Sequence, residues 1–171
     1  MTHPAAIPEE ELLKRCTVTR NRGGGPGGQR KNKVETAAIL THDPTGISAQ
    51  AAERRSQKEN QRVALRRLRH ALAVRHRAPV PPPKGMDEIA SPLWRSRRQN
   101  QKIVCNPDHA DYPALLAEAL DVLADSGWKP RRAALRLGVT MSQLLKLVRA
   151  HPPAWGELNR RRAARKLPPL S

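Results

Sequence analysis

Apolar positions along the chain switch between the two-residue period of strands and the three-to-four-residue period of helices, and each switch predicts an element. Residues 8–15, Pro-Glu-Glu-Glu-Leu-Leu-Lys-Arg, read as a short helix whose first-turn acids complement the helix dipole. Residues 16–20 read as a strand. Residues 34–41 and 46–52 predict two further strands, joined in a hairpin by the turn formers Asp43-Pro44-Thr45-Gly46. Ser56 is a good N-cap with Glu59 in capping-box position, and the helix it opens runs to about residue 76. Val63, Leu65, Leu68, Ala71 and Leu72 form its apolar stripe against the sheet, while Arg62, Arg66, Arg67 and Arg69 spread over its other faces.

Ala78-Pro-Val-Pro-Pro-Pro83 ends that helix and predicts an extended linker at a domain boundary. The next stretch, Trp94-Arg-Ser-Arg-Arg-Gln-Asn-Gln-Lys102, sets one tryptophan among four positive charges; it reads equally as an RNA-contacting arm or as a helix or loop packed on the first domain. Residues 103–128 hold no Lys or Arg, and Leu115, Leu116, Ala119, Leu120 and Leu123 form a helical stripe ended by Ser126-Gly127. Residues 129–137 and 140–150 read as two more helices around Gly138-Val139, with Thr140 and Gln143 in capping-box positions. Two short helices about a glycine suggest a helix-turn-helix with 140–149 as its recognition helix. Its Leu144, Leu145, Leu147 and Val148 are apolar, however, and only Gln143, Lys146 and Arg149 offer polar contacts, so a small helical bundle is the favoured reading. The expected architecture is α+β: a domain over 1–77 with an antiparallel sheet and a long packed helix, a Pro-rich linker and basic arm over 78–111, an all-α bundle over 112–157 and a basic tail over 158–171.

Charge narrows the partners. The 171 residues carry 32 Lys and Arg against 15 Asp and Glu, a formal charge of +17, which points to nucleic acid. No apolar run approaches a membrane span and no signal-peptide core is present, so a soluble cytoplasmic protein without membrane contact is expected. Cys16 and Cys105 lack metal-ligand spacing and read as reduced, partly buried thiols; neither metal nor cofactor is expected.

The densest chemistry lies at Arg22-Gly-Gly-Gly25-Pro26-Gly27-Gly28-Gln29-Arg30-Lys31-Asn32-Lys33. Five glycines and a proline in six positions propagate neither helix nor strand, and they let another molecule approach bare backbone, while Arg20, Arg22, Arg30, Lys31 and Lys33 suit a polyanion. Gly23-x-Gly25-x-x-Gly28 formally matches the dinucleotide fingerprint, with Asp43 at a suitable distance for a ribose, but that fingerprint needs a helix where 34–40 reads as a strand. A phosphate loop needs Gly-Lys-Ser/Thr, and Gln29 follows Gly28. A linker would be longer and not flanked by strands.

Gly27-Gly28-Gln29, with Gly25 before it and Asn32-Lys33 after it, resembles the signature of class I peptide chain release factors, the Gly-Gly-Gln domain superfamily. Thr41-His42-Asp43-Pro44-Thr45-Gly46-Ile47 and Glu53-Arg54-Arg55-Ser56-Gln57-x-x-Asn60-x-Arg62 continue the likeness, which runs from about residue 9 to residue 77. Gly23 and Gly24 depart from it, standing where most members carry small polar residues. The resemblance implies hydrolysis of the peptidyl-tRNA ester inside the ribosomal peptidyl transferase centre, with Gly27, Gly28 and Gln29 catalytic. The Gln29 backbone N–H would stabilise the oxyanion and its side chain would position the attacking water. No general base is then needed, and no acidic residue lies between Glu11 and Glu35. His42 sits at the strand-to-turn junction, which the turn itself explains.

The resemblance further implies ribosomal and transfer RNA contacts by Arg20, Arg22, Arg30, Lys31, Asn32, Lys33, Arg54, Arg55, Arg62, Arg66 and Arg67. The family's glutamine is often methylated, which makes Gln29 a candidate for N-methylation by a glutamine methyltransferase. Arg160, Arg161, Arg162, Arg165 and Lys166, five cations in seven residues, resemble the basic tail of rescue hydrolases. Stop-codon-reading domains find no room in this length. The expectation is therefore a monomeric, codon-independent rescue factor acting on stalled ribosomes or large subunits. The competing expectation is a non-catalytic RNA- or DNA-binding protein working through the C-terminal helices.

Overall fold

Three strands, β1 (Cys16–Asn21), β2 (Ala37–His42) and β3 (Ile47–Ala51), pair antiparallel in the order β1-β2-β3. They belong to a computed structural model that describes residues 2–21, 37–82 and 89–171. The glycine-rich stretch and the expected strand start at 34–36 lie outside the described residues. The chain divides into two compact units, one of Ile7–His76 and one joining the residues through Ala6 to Arg77–Ser171.

In the first unit, α1 (Glu9–Leu13) precedes β1 and α2 (Gln57–Arg75) packs across β2 and β3. Alternation decides which side of the sheet α2 covers: Ala38, Leu40 and His42 on β2 are buried, opposite Ala51, Ala49 and Ile47 on β3. Alanines in several of these positions let the helix approach closely, and Leu65, Leu68 and Leu72 fill the space between. Ser56 caps α2 as its sequence predicts, its Oγ accepting from the Glu59 N–H (3.4 Å).

The buried stripe of α2 differs from the predicted one. Val63 and Ala71 are half-buried, whereas Asn60, Ala64, Leu68 and Leu72 form an uninterrupted i, i+4 row. Arg69, expected on an open face, is buried with its guanidinium donating to Glu9 (3.5 Å), its aliphatic stem serving as core.

In the second unit a 3-10 turn, Pro4–Ala6, packs on α4 (Tyr112–Asp125), so the first six residues, expected in the first domain, group with the helices. The cationic stretch after the proline run builds α3 (Pro92–Arg97) and a small hairpin of β4 (Arg98–Gln99) and β5 (Lys102–Ile103). Trp94 is no arm. It is fully buried, with Nε1 donating to the Leu137 carbonyl (2.9 Å), because an indole out of water needs one acceptor.

Helix α4 is buried nearly all round, as expected of the central member of a bundle. Gly127 (φ 68°) stops it, and the Trp128 N–H closes back on the Leu123 carbonyl (2.7 Å). Helices α5 (Pro130–Arg136), α6 (Met141–Arg149) and α7 (Pro152–Ala163) complete the unit. The expected tail begins inside α7. Leu158 extends the apolar face, Glu157 pairs with Arg160 and Arg161 one turn on, and Arg162 is buried, donating to the carbonyls of Trp128 (2.7 Å) and Pro168 (2.8 Å). Asn159 holds Leu170 through its amide (2.8 Å to the Leu170 N–H), so the last residues fold back on the bundle. Among the described residues, no helix is long and apolar enough to cross a membrane.

Candidate functional site

The β1–β2 pair is a frame with two unlike ends. Its register pairs Cys16 with His42 at one end and Asn21 with Ala37 at the other, the last described rung on either side of residues 22–36 in sequence. Gly27, Gly28, Gln29, Arg22, Arg30, Lys31, Asn32 and Lys33 belong to that interval and lie outside the described residues. Arg20 pairs with Ala38, next to the last rung.

The opposite end is fixed by the turn. The Asp43 N–H donates to the Arg15 carbonyl (3.0 Å), and Asp43 Oδ1 accepts from the Thr17 N–H (3.2 Å). Asp43 is thus an anchor for the start of β1 and not a ribose ligand. His42 is buried, its Nδ1 paired with Thr45 Oγ1 (2.8 Å) and its carbonyl accepting from the Gly46 N–H (2.8 Å). Burial, and then the charges of Arg15 and His76, hold its pKa below the usual imidazole value and keep it neutral. It stands at the far end of a six-residue strand from Ala37, about 17 Å at the strand rise. The turn contacts to Thr45 and Gly46 account for the place of His42 in the sheet.

The predicted RNA-facing cations separate into groups. Arg54, Arg55, Arg62 and Arg66 are exposed, with Arg62 and Arg66 one turn apart on the same face of α2. Arg67 is committed inside the unit: it donates to the Gln50 carbonyl (2.8 Å) and pairs with Glu53 (2.5 Å), whose carboxyl this hydrogen bond pulls below its usual range. In the second unit Arg160 and Arg161 pair with Glu157, Arg162 is buried, and Arg165 and Lys166 are exposed. The RNA-facing set predicted there thus reduces to fewer open charges.

One positioning residue was hidden within a quoted motif. Asn60, fully buried in the first turn of α2, accepts from the Arg54 N–H (2.8 Å) and donates to the Arg54 carbonyl (2.9 Å), fixing the bend that presents Arg54 and Arg55. A polar amide interrupting an apolar i, i+4 row was the available signal. Among the described residues, no three His, Cys, Asp or Glu side chains gather as metal ligands.

A sequence model of the RF-1 domain matches residues 5–103, more than half of the chain. The chain belongs to the RF-1 domain family. Its relatives include a chloroplastic peptide chain release factor of Arabidopsis thaliana, 48% identical over 68 residues, and peptide chain release factor 1 of Symbiobacterium thermophilum, 52% identical over 75. Each alignment covers 40% of this chain, and 14% and 21% of those relatives. An uncharacterized mitochondrial release factor-like protein of Saccharomyces cerevisiae is 40% identical over 72 residues, covering 42% of this chain and 45% of the relative. The chain thus spans less than half the length of these relatives. The RF-1 match extends past the first compact unit, through α3 and the β4–β5 hairpin.

Proposed function

We propose that this RF-1 domain protein hydrolyses the ester joining a nascent peptide to tRNA on the ribosome, and does so without reading a stop codon. The carrying observation is the β1–β2 frame of a family member, which closes on the rung Asn21–Ala37 directly flanking the segment with Gly27-Gly28-Gln29. Water attacks the ester carbonyl, the Gln29 backbone N–H stabilises the charge that develops on its oxygen, and the Gln29 amide orients the water. The attacking water's proton passes to the departing tRNA hydroxyl, so no strong base is required. Arg54, Arg55, Arg62 and Arg66 supply phosphate contacts that hold the unit on ribosomal RNA.

Peptide release should be measured on ribosomes stalled without an A-site codon and on isolated large subunits carrying peptidyl-tRNA. The wild-type protein should release peptide from at least one of these particles, and Gln29→Ala should not. Release by Gln29→Ala at the wild-type rate would overturn the mechanism, and release confined to stop-codon complexes would overturn codon independence.

A further inference from the structure

The helices after α4 carry a cationic surface that the peptidyl-tRNA chemistry leaves unused. Between Asp125 and Glu157 the sequence holds no acidic residue, while Lys129, Arg131, Arg132, Arg136, Lys146 and Arg149 fall in that interval. Structure sorts these charges. Arg136 is committed to Asp125 (2.6 Å), and Arg149 lies over the Trp155 ring (4.5 Å) and donates to the Ser171 carbonyl. Lys129, Arg131, Arg132 and Lys146 are exposed, and among the described residues no acidic side chain pairs with them.

Local geometry gathers part of this set on one side. Gly138 (φ 64°) turns the chain between α5 and α6, and the Val139 N–H closes on the Ala134 carbonyl (3.1 Å). Thr140, which caps α6, donates its own N–H to the Gln101 carbonyl (3.2 Å), tying the β4–β5 turn to the start of that helix. Lys102 on β5 and Lys146 on α6 then line one cleft of about 440 Å³, with Gln143 between them in sequence. The outer side of α6 presents Met141, Ser142, Lys146 and Arg149, with Gln143 half-exposed, while Leu144, Leu147 and Val148 turn inward. Leu144, Leu147 and Val148 thus form the core expected of a bundle, and the neighbouring hairpin exposes the amides of Gln99, Asn100 and Gln101 beside Lys102.

We propose that α6, the turn before it and the β4–β5 hairpin form a second RNA-docking surface, one that grips the phosphate backbone of double-helical RNA. Charge complementarity assigns a polyanion. An A-form helix, whose major groove side chains cannot read, is recognised through its phosphates and 2′-hydroxyls, partners that suit exposed cations and amides. The choice of RNA rests on the ribosomal function proposed above; the phosphate-binding surface does not.

The test uses the full chain, an RNA duplex of about 16 base pairs and a DNA duplex of the same sequence, with binding followed across a salt series. The double variant Lys102→Ala/Lys146→Ala alters exposed side chains only, and its thermal unfolding should match wild type. Expected are a loss of RNA affinity of about tenfold and a fall of roughly two in the slope of log affinity against log salt. The control Lys58→Ala, an exposed cation of the first unit, should keep most of both. Unchanged affinity and slope in the double variant would sink the proposal, as would tighter binding of the DNA duplex. Gln29→Ala should bind the RNA duplex like wild type, so failure of peptide release and failure of docking are read separately.

Discussion

Asn60 and Arg54 hold each other through a two-way pair in which the buried side-chain amide both accepts from and donates to one residue's backbone. The five-residue bend between β3 and α2 is therefore set from inside the helix. Asn60→Ala should cost about 1–3 kcal/mol, because two backbone groups lose partners where water reaches them poorly. Urea unfolding of the chain checks this. Asn60→Asp should be at least as costly, since it sets a carboxylate against the Arg54 carbonyl.

The first unit should weaken in mild acid. His42 has a folded pKa below its ordinary 6.5, so the unfolded chain binds its proton more readily and stability falls as pH drops below about 6.5. Thermal unfolding from pH 8 to pH 5 should show that loss, and His42→Gln should flatten it. The same variant should keep peptide release, since the imidazole is buried and held in the turn by Thr45.

Acid should affect the second unit in the opposite direction through Asp121. That carboxyl is buried beside Arg77 (3.2 Å), His3 (4.0 Å) and the Ala78 N–H (3.1 Å), and burial pushes it from 3.8 up to about 7. The folded state then holds the proton more tightly, and its stability falls as pH rises from about 4 through 7. Glu118, also raised by burial and hydrogen-bonded to Ser91, contributes in the same sense. Asp121→Asn keeps an acceptor for Ala78 and should remove much of the slope; an unchanged pH profile would count against this account.

Arg162 separates structure from binding within one run of cations. Arg162→Ala leaves the Trp128 and Pro168 carbonyls without their donor and should destabilise the second unit by about 2–3 kcal/mol. Arg165→Ala, at an exposed position, should change stability by less than about 0.5 kcal/mol. Differential scanning calorimetry of the two variants makes the comparison.

What could be read directly from sequence was what depends on near neighbours. The Ser56 and Thr140 caps, the Asp43–Gly46 turn and the stop at Gly127 each involve partners within a few residues, and each is found where its chemistry predicts. Trp94 was ambiguous and Arg162 misleading because their acceptors, Leu137 and Trp128, lie 43 and 34 residues away, and a cation-rich context looks the same whether its members are solvated or buried. The α2 stripe was half legible for a related reason: Asn60 and Arg69 are polar by composition but apolar or self-satisfied in place. The candidate motif at Gly27–Gln29 was identified from its own residues, and the frame supporting it from strand alternation on either side.

The anchoring of β1 by Asp43 gives the sheet a zero mark. Thr17 and Arg15 are clamped to the turn, and every rung from there to Asn21–Ala37 adds one strand step of about 3.3 Å, so the whole β1–β2 pair is counted from that clamp. Inserting two residues into both β1 and β2 would preserve the inward and outward alternation yet move the Asn21–Ala37 rung about 7 Å further from the Asp43 turn. Under the function proposed above, the length of this quiet pair of strands is as much a part of the specification as the glutamine.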